Sequence, residues 1–339
     1  MKAPQKILII QTAFIGDVVL TTPLIRAIKQ KWPQALLDVL VIPQTREVLQ
    51  NNPHIHALLT FDKRADKRRA FRETARRLAA NAYDVCFLPH RSLTSARLAL
   101  CGKIPRRFGF AGHLAGLLYT QRFPFDRSKI QIRRYLDLLP DSPPEDIQTE
   151  LFFSDSVKQK ALDVLRPLDR FSTKIAIAPG SVWPTKMWPR DYYASLMKLL
   201  EKHHIGMALV GSAAERKLCD YVSIGIDKQK VVNLAGKTSL LQAAAVIQAC
   251  DLLVCNDSGA MHLANAVQTD VFAFFGPTVT DFGFAPFRVN DRVFEYDIEC
   301  RPCSSHGGVK CPQGHFKCML NIEAISVYRE IIKVFGLAE

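Results

Sequence analysis

Apolar residues fall in short unbroken runs separated by segments with helical spacing. Lys6–Gln11, Leu36–Ile42 and Asp84–Leu88 read as strands that are apolar throughout rather than at every second position. Between them, Thr22–Lys31 and Ala65–Asn81 carry apolar residues at three- and four-residue intervals, the second segment being strongly basic. Strands of this kind alternating with helices predict a parallel sheet covered on both faces. The second half repeats the pattern. Strands are expected at Ile175–Ala178, Gly206–Val210, Val231–Asn233, Leu252–Cys255 and Val271–Phe275, with helices around Tyr192–His203 and Leu240–Ala249. The polar, proline-rich segment Leu139–Asp146 breaks helices and suits a boundary. The expected class is therefore α/β, with two doubly wound domains facing one another, residues 1–165 and 166–339. In such sheets ligands sit beyond the carboxyl ends of the strands.

Length and composition agree with two ordinary globular domains: 339 residues, 48% apolar and 23% charged. No apolar run reaches the ~18 residues of a membrane span. Ile7–Ile10 after Lys2 faintly imitates a signal peptide, but the run stops at Gln11 without a small-residue cleavage site, so a buried strand and a cytoplasmic protein are expected. Charge changes the picture more. Of a net +13, residues 63–134 alone hold +14, from 18 Lys/Arg against Asp66, Glu73, Asp84 and Asp126. A field so concentrated suggests a polyanionic partner such as nucleic acid, an anionic lipid headgroup or a phosphorylated glycan. For Lys63–Arg77 alone, a solvated helix face explains the charge equally well. A single-strand nucleic-acid binder would interleave stacking aromatics, and this stretch holds only Phe71.

Four strand ends carry candidate chemistry. Gln11–Asp17 (QTAFIGD) follows the first strand, and Asp17 is either a reactive carboxylate or a helix cap. Ala178–Pro189 (APGSVWPTKMWP) pairs a small-residue turn with Lys186, a set suited to a phosphate or to an ordinary loop. Val210–Glu215 (VGSAAE) ends in an acid able to bind ribose hydroxyls or to start a helix. Val254–His262 (VCNDSGAMH) places Ser258 and Gly259 at a helix start, with His262 as a ligand contact or a core histidine. No dinucleotide-binding GxGxxG follows the first strand, and no phosphate-loop pattern exists in the chain, which argues against a Rossmann oxidoreductase.

Taken together, ILIIQTAFIGDVVLTTPLIRAIK, IAPGSVWPTKMWP, LVGSAAE, NLAGKTSLLQAAAVIQACDLLVCNDSGAMHLANA and FFGPT resemble the lipopolysaccharide heptosyltransferases over nearly the whole chain, closest to the heptosyltransferase II branch. The resemblance implies a GT-B fold, two Rossmann-like domains across a cleft, with a last helix at about 322–335 packing back on the first domain. It implies inverting transfer of heptose from ADP-heptose to the inner core of lipopolysaccharide, heptosyl-Kdo2-lipid A being the acceptor, with no further cofactor and no metal. Heptosyltransferase I, or a relative with another sugar or acceptor, is the near alternative, and a polyanion-binding protein the distant one. By this resemblance Asp17 is the catalytic base. Ser181, Lys186, Glu215, Asp257, Ser258, Gly259 and His262 bind the donor. Lys63, Arg64, Lys67 and Arg68 are acceptor-side candidates, drawn with the basic segment to the anionic inner leaflet as a peripheral, salt-sensitive contact. A monomer is expected. Phe108, Phe110, Leu114, Leu117 and Leu118 read as core packing before lipid contact.

Cys300, Cys303, Cys311 and Cys318, spaced C-x2-C-x7-C-x6-C with His306 and His315 nearby, leave three readings open: structural zinc, unligated thiols or disulfides. The other five cysteines read as core.

Overall fold

The structure is a computed structural model that describes residues 3–63, 66–141 and 144–338. It divides into two units, Met1–Phe152 and Phe153–Glu339. The first is built on strands β1 (Lys6–Ile10), β2 (Leu36–Val41), β3 (Ala57–Thr60), β4 (Val85–Leu88), β5 (Arg106–Phe110) and β6 (Gln121–Phe123). They form one sheet in the order β3-β2-β1-β4-β5-β6, parallel throughout. The second holds β7 (Thr173–Ala178), β8 (Ile205–Leu209), β9 (Val231–Asn233), β10 (Leu252–Asn256), β11 (Asp270–Phe275) and β12 (Arg292–Glu295). Its order, β12-β11-β10-β7-β8-β9, is the same one read from the other edge, again parallel. In each sheet the order of strand addition therefore reverses once, between β1 and β4 and between β7 and β10. Those two points open the crevices where doubly wound sheets take ligands.

The central strands bury nearly all the side chains the apolar runs promised, Leu36 at the start of β2 being the exposed exception. Ile7, Leu8, Ile9 and Ile10 are fully covered, and each such burial stabilises by about 1.5–3 kcal/mol. In the second unit Trp188 stacks on Phe274, with ring centroids 4.1 Å apart. Four strands escaped the sequence pattern, namely β3, β5, β6 and β12. Three lie at sheet edges, and β5 begins with Arg106 and Arg107. These arginines belong to backbone scaffolding as much as to surface charge, because Arg107 Nε donates to the Leu118 carbonyl at 2.7 Å.

The division between the two units falls earlier in the chain than expected. Helix Asp155–Leu165, capped by Ser154, packs on helix Leu240–Gln248 and so belongs to the second unit, moving the boundary from 165/166 to 152/153. The last helix, Ala324–Phe335, buries Val327, Tyr328, Ile331 and Ile332 in the second unit's own core, against helix Arg190–Leu200. Tyr328 Oη also meets His203 Nε2 at 2.8 Å. Its apolar stripe is covered there. Phe108 and Phe110 are core as expected, whereas Leu114 and Leu117 stand 74% and 73% exposed. Among the described residues, no helix is long and apolar enough to cross a membrane.

Candidate active site

In the first unit the chain leaves β1 through Gln11, whose N–H extends the ladder to the Leu40 carbonyl, and turns into helix Ile15–Leu20. Phe14 occupies the cap position, so Asp17 lies at the third helical residue and is not the cap. Its Oδ1 accepts a hydrogen bond from the Tyr135 hydroxyl at 2.9 Å. Tyr135 is buried on helix Gln131–Leu136; burial first, and the Asp17 charge second, push its pKa well up and keep the hydroxyl a donor. The Asp17 backbone is held too, its carbonyl accepting from Thr21 Oγ1 at 2.7 Å while Gln11 Nε2 donates to that same hydroxyl. A carboxylate with fixed backbone, a positioned donor and partial exposure beside the β1/β4 crevice suits a general base.

The acceptor-side candidates separate. Lys63 Nζ donates to the Thr12 carbonyl at 2.7 Å, which places it on the turn leading to Asp17, and burial lowers its pKa. Arg64 lies outside the described residues. Lys67 and Arg68 are exposed on the first turn of helix Lys67–Asn81, where the Asp66 side chain caps the N–H groups of Arg68 and Arg69.

In the second unit the β7/β10 crevice gathers most donor-side candidates. Lys186 Nζ lies 2.5 Å from Asp257 Oδ2, and the Thr278 hydroxyl donates to that oxygen at 2.7 Å. Ser258 caps helix Gly259–Ala266 with no side-chain bond to it, leaving the first-turn N–H groups open beyond the end of β10. His262 is buried, and its pKa falls to about 4, chiefly through desolvation, so it is neutral at physiological pH. Ser181 Oγ accepts from the Trp183 N–H at 3.4 Å. Glu215 completes a capping box with Ser212, whose N–H donates to Oε2 at 2.6 Å. The carboxylate then packs against Gly180 and Gly211. A methyl at Gly180 would stand 1.9 Å from Oε1, which explains a glycine there.

Residues that sequence reading passed over hold this arrangement together. Asn256, fully buried at the end of β10, bonds across the crevice. Its Nδ2 donates to the carbonyls of Pro179 and Gly180, and its Oδ1 accepts from the Trp188 N–H and the Tyr193 hydroxyl. Arg301 donates to the carbonyls of Gly276 and Thr278, fixing the loop that delivers Thr278 to Asp257. Thr185 exchanges bonds with Gly308, and Gly307 packs over Trp183 and the Lys186 stem. The cysteine-rich segment thus buttresses the Lys186 loop. All nine cysteines are free thiols, which removes the disulfide reading. Cys300 Sγ lies 3.9 Å from His315 Nε2, and among the described residues no group of three or more His, Cys, Asp or Glu is arranged to hold a metal ion.

The first unit thus presents a carboxylate near its switch point, and the second a lysine beside a helix start near its own. The model of glycosyltransferase family 9 (heptosyltransferase) matches residues 71–311. The chain belongs to this family. Among curated members it is 29% identical over 307 residues to lipopolysaccharide heptosyltransferase 2 of Salmonella typhimurium, covering 82% of this chain and 84% of that one. Lipopolysaccharide heptosyltransferase 3 of Escherichia coli K12 is 28% identical over 281 residues, 78% of this chain and 80% of the other. Among solved structures, E. coli ADP-heptose lps heptosyltransferase II superposes with a TM-score of 0.79 at 25% identity, covering 98% of both chains. A family 9 glycosyl transferase from Veillonella parvula reaches 0.86 at 20% identity over 99% of both chains, a likeness of fold. The family 9 fold is GT-B, with two Rossmann-like domains, and the two parallel six-stranded sheets here are of that kind.

Proposed function

We propose that this family 9 glycosyltransferase is an inverting heptosyltransferase of type II. It moves L-glycero-D-manno-heptose from ADP-heptose to the heptosyl-Kdo2-lipid A inner core of lipopolysaccharide. The observation that carries the donor half is the Lys186–Asp257–Thr278 cluster beside the open start of helix Gly259–Ala266, a cation and backbone donors converging where a diphosphate is expected. Relatives named for heptosyl transfer in lipopolysaccharide support the sugar and acceptor.

In this reading Asp17 accepts the proton of an acceptor hydroxyl as its oxygen bonds to the anomeric carbon. The bond from that carbon to the diphosphate oxygen breaks on the opposite face, so configuration inverts and ADP leaves with the electron pair. Lys186 and the N–H groups at Ser258 and Gly259 receive the charge on the leaving diphosphate. Asp257 orients Lys186 before the donor arrives and takes heptose hydroxyls. Ser181 adds a hydroxyl to the diphosphate loop, Glu215 offers Oε1 to the ribose, and neutral His262 supports the helix as a packed side chain. None of these steps uses a further cofactor. The protein acts as a monomer at the cytoplasmic face of the inner membrane, held by the exposed basic helix Lys67–Asn81 with Lys63 and Arg64.

Calorimetric titration with ADP, ADP-heptose, UDP and GDP tests the donor. Preference for the ADP species is expected. Preference for UDP or GDP would overturn the sugar, and binding of none would overturn the transferase reading. Flotation with anionic vesicles at low and high salt tests the membrane contact, with binding expected only at low salt.

A further inference from the structure

We infer that the first unit carries an oxyanion pocket for the acceptor, formed by Arg91 and Arg127 around the ring of Phe125. This rests on the transfer reading above and assigns the acceptor's anchoring to residues outside the Lys63–Arg68 segment.

The pocket is an open depression of about 240 Å³ lined by Arg91, Ala111, Gly112, Phe125 and Arg127. Those residues follow β4, β5 and β6, so the pocket lies on the same carboxyl edge as Asp17, and β4 is the strand next to β1. Arg91 lays its guanidinium 4.5 Å from the centre of the Phe125 ring. Among the described residues its Nη2 reaches only the Gly112 carbonyl, at 3.4 Å, and its Nε is buried with no partner. Among the described residues neither Arg91 nor Arg127 makes an ion pair. The nearest acid in the chain, Asp126, has its carboxylate turned to the N–H and hydroxyl of Ser128. A stacked guanidinium with unspent donors is a preformed fork for a phosphate or carboxylate, and it loses little side-chain entropy on binding one.

The neighbouring Arg134 shows the contrast. It is buried, also rests on Phe125, and spends its donors on the carbonyls of Asp126 and Arg127 and on Gln131. Arg134 therefore fixes the loop that bears Phe125 and Arg127. The next residue, Tyr135, fixes Asp17. One short helix sets both the anion pocket and the base, so an acceptor anchored at one presents its hydroxyl in a defined register to the other.

The test measures heptose transfer by the parent, Arg91→Ala, Arg127→Ala and the exposed-charge control Arg122→Ala. Three O-deacylated acceptors are compared: intact, dephosphorylated, and with sugar carboxylates reduced to alcohols. For the intact acceptor both pocket variants should raise KM about 10–100-fold, with kcat, ADP-heptose affinity and melting temperature held. On whichever modified acceptor lacks the recognised group, parent and variant should converge, which also separates phosphate from carboxylate. An unchanged KM, an equal penalty on all three acceptors, or an equal effect of Arg122→Ala overturns the pocket. Should the parent transfer no heptose, the transfer reading falls separately. Inorganic phosphate titrated into Lys186→Ala protein, with and without Arg91→Ala, then decides the pocket alone. Phosphate binding lost with Arg91 sustains it, and binding that is absent or indifferent to Arg91 overturns it.

Discussion

Asn256 offers the most severe test of how the second unit's crevice is built. Its amide makes four hydrogen bonds in full burial, two given and two received, and all four cross from β10 to the β7 loop or the helix that follows it. Replacement by Ala leaves the Trp188 N–H, the Tyr193 hydroxyl and two carbonyls without their partner. Each stranded buried group costs about 1–3 kcal/mol, and partial relaxation keeps the sum below full additivity. A loss of about 3–5 kcal/mol is expected, or roughly 8–16 °C in melting temperature for a domain of this size. ADP-heptose affinity should fall as well, because Pro179 and Gly180 precede Ser181 and Lys186 in the same loop.

Asn256→Asp sharpens the point. The shape is kept, but a carboxylate oxygen replaces the Nδ2 that donates to two carbonyls, and only the protonated acid can still donate. Burial and facing carbonyls raise the folded-state pKa above the unfolded ~3.9. The native state then holds the proton more tightly. Stability is fully present at low pH and lost as pH rises through the folded value. Relative to the parent, Asn256→Asp should be more destabilised at pH 8 than at pH 5 in urea melts. An Asn256→Ala protein melting within about 2 °C of the parent, or an Asp variant whose deficit is flat with pH, would refute the bridging role.

Other consequences follow from single contacts. Asp17→Asn should keep donor affinity while turnover drops about 10²–10⁴-fold, and near-normal turnover would remove Asp17 as the base. Tyr135→Phe removes a donor that favours the charged carboxylate, so the acid limb of the kcat profile should move to higher pH; an unmoved limb would make the contact merely structural. Lys186→Ala should weaken ADP-heptose binding about 10–100-fold and slow transfer with it, measured by calorimetry and initial rates. His262, with its folded pKa near 4 against about 6.5 unfolded, takes up its proton first in the unfolded state as pH falls. Stability should decline between pH 6.5 and 4 by up to about 3 kcal/mol, and His262→Gln should flatten that slope in thermal melts.

Much of this architecture was legible because buried parallel strands announce themselves. After Lys6, β1 is apolar at every position (ILII), and β10 is apolar up to Asn256 (LLVC); only a sheet covered on both faces asks for that. The edge strands β3, β6 and β12 carried no such signature, since a short strand with one neighbour needs little apolar surface. Helix Asp155–Leu165 was assigned to the wrong side of the boundary for a related reason. Its sequence shows an amphipathic stripe but not which sheet the stripe covers. The site divides the same way. Asp17, Lys186 and Asp257 stood out because strand-end turns with a charge are rare and local. Asn256 sits beside Asp257 in the same string, yet nothing in the string says that its amide reaches 76 and 77 residues back to Gly180 and Pro179.

The basic segment shows where composition misleads. Its 18 Lys/Arg form one block in sequence, but the fold sorts them by what their donors already hold. Arg107 and Arg134 are spent on backbone carbonyls, and Arg133 on those of Pro144 and Glu145. Arg69 pairs with Glu73 on an exposed helix face, where solvent screening leaves such a pair worth little. Arg91 and Arg127, at a sheet's carboxyl edge beside an aromatic ring, keep donors to give. Net charge attracts a polyanionic acceptor over a distance of about a Debye length, and any of the exposed cations can contribute to that. Register against Asp17 needs donors fixed in direction, and in this segment that condition is met by the stacked Arg91 rather than by the greatest density of charge.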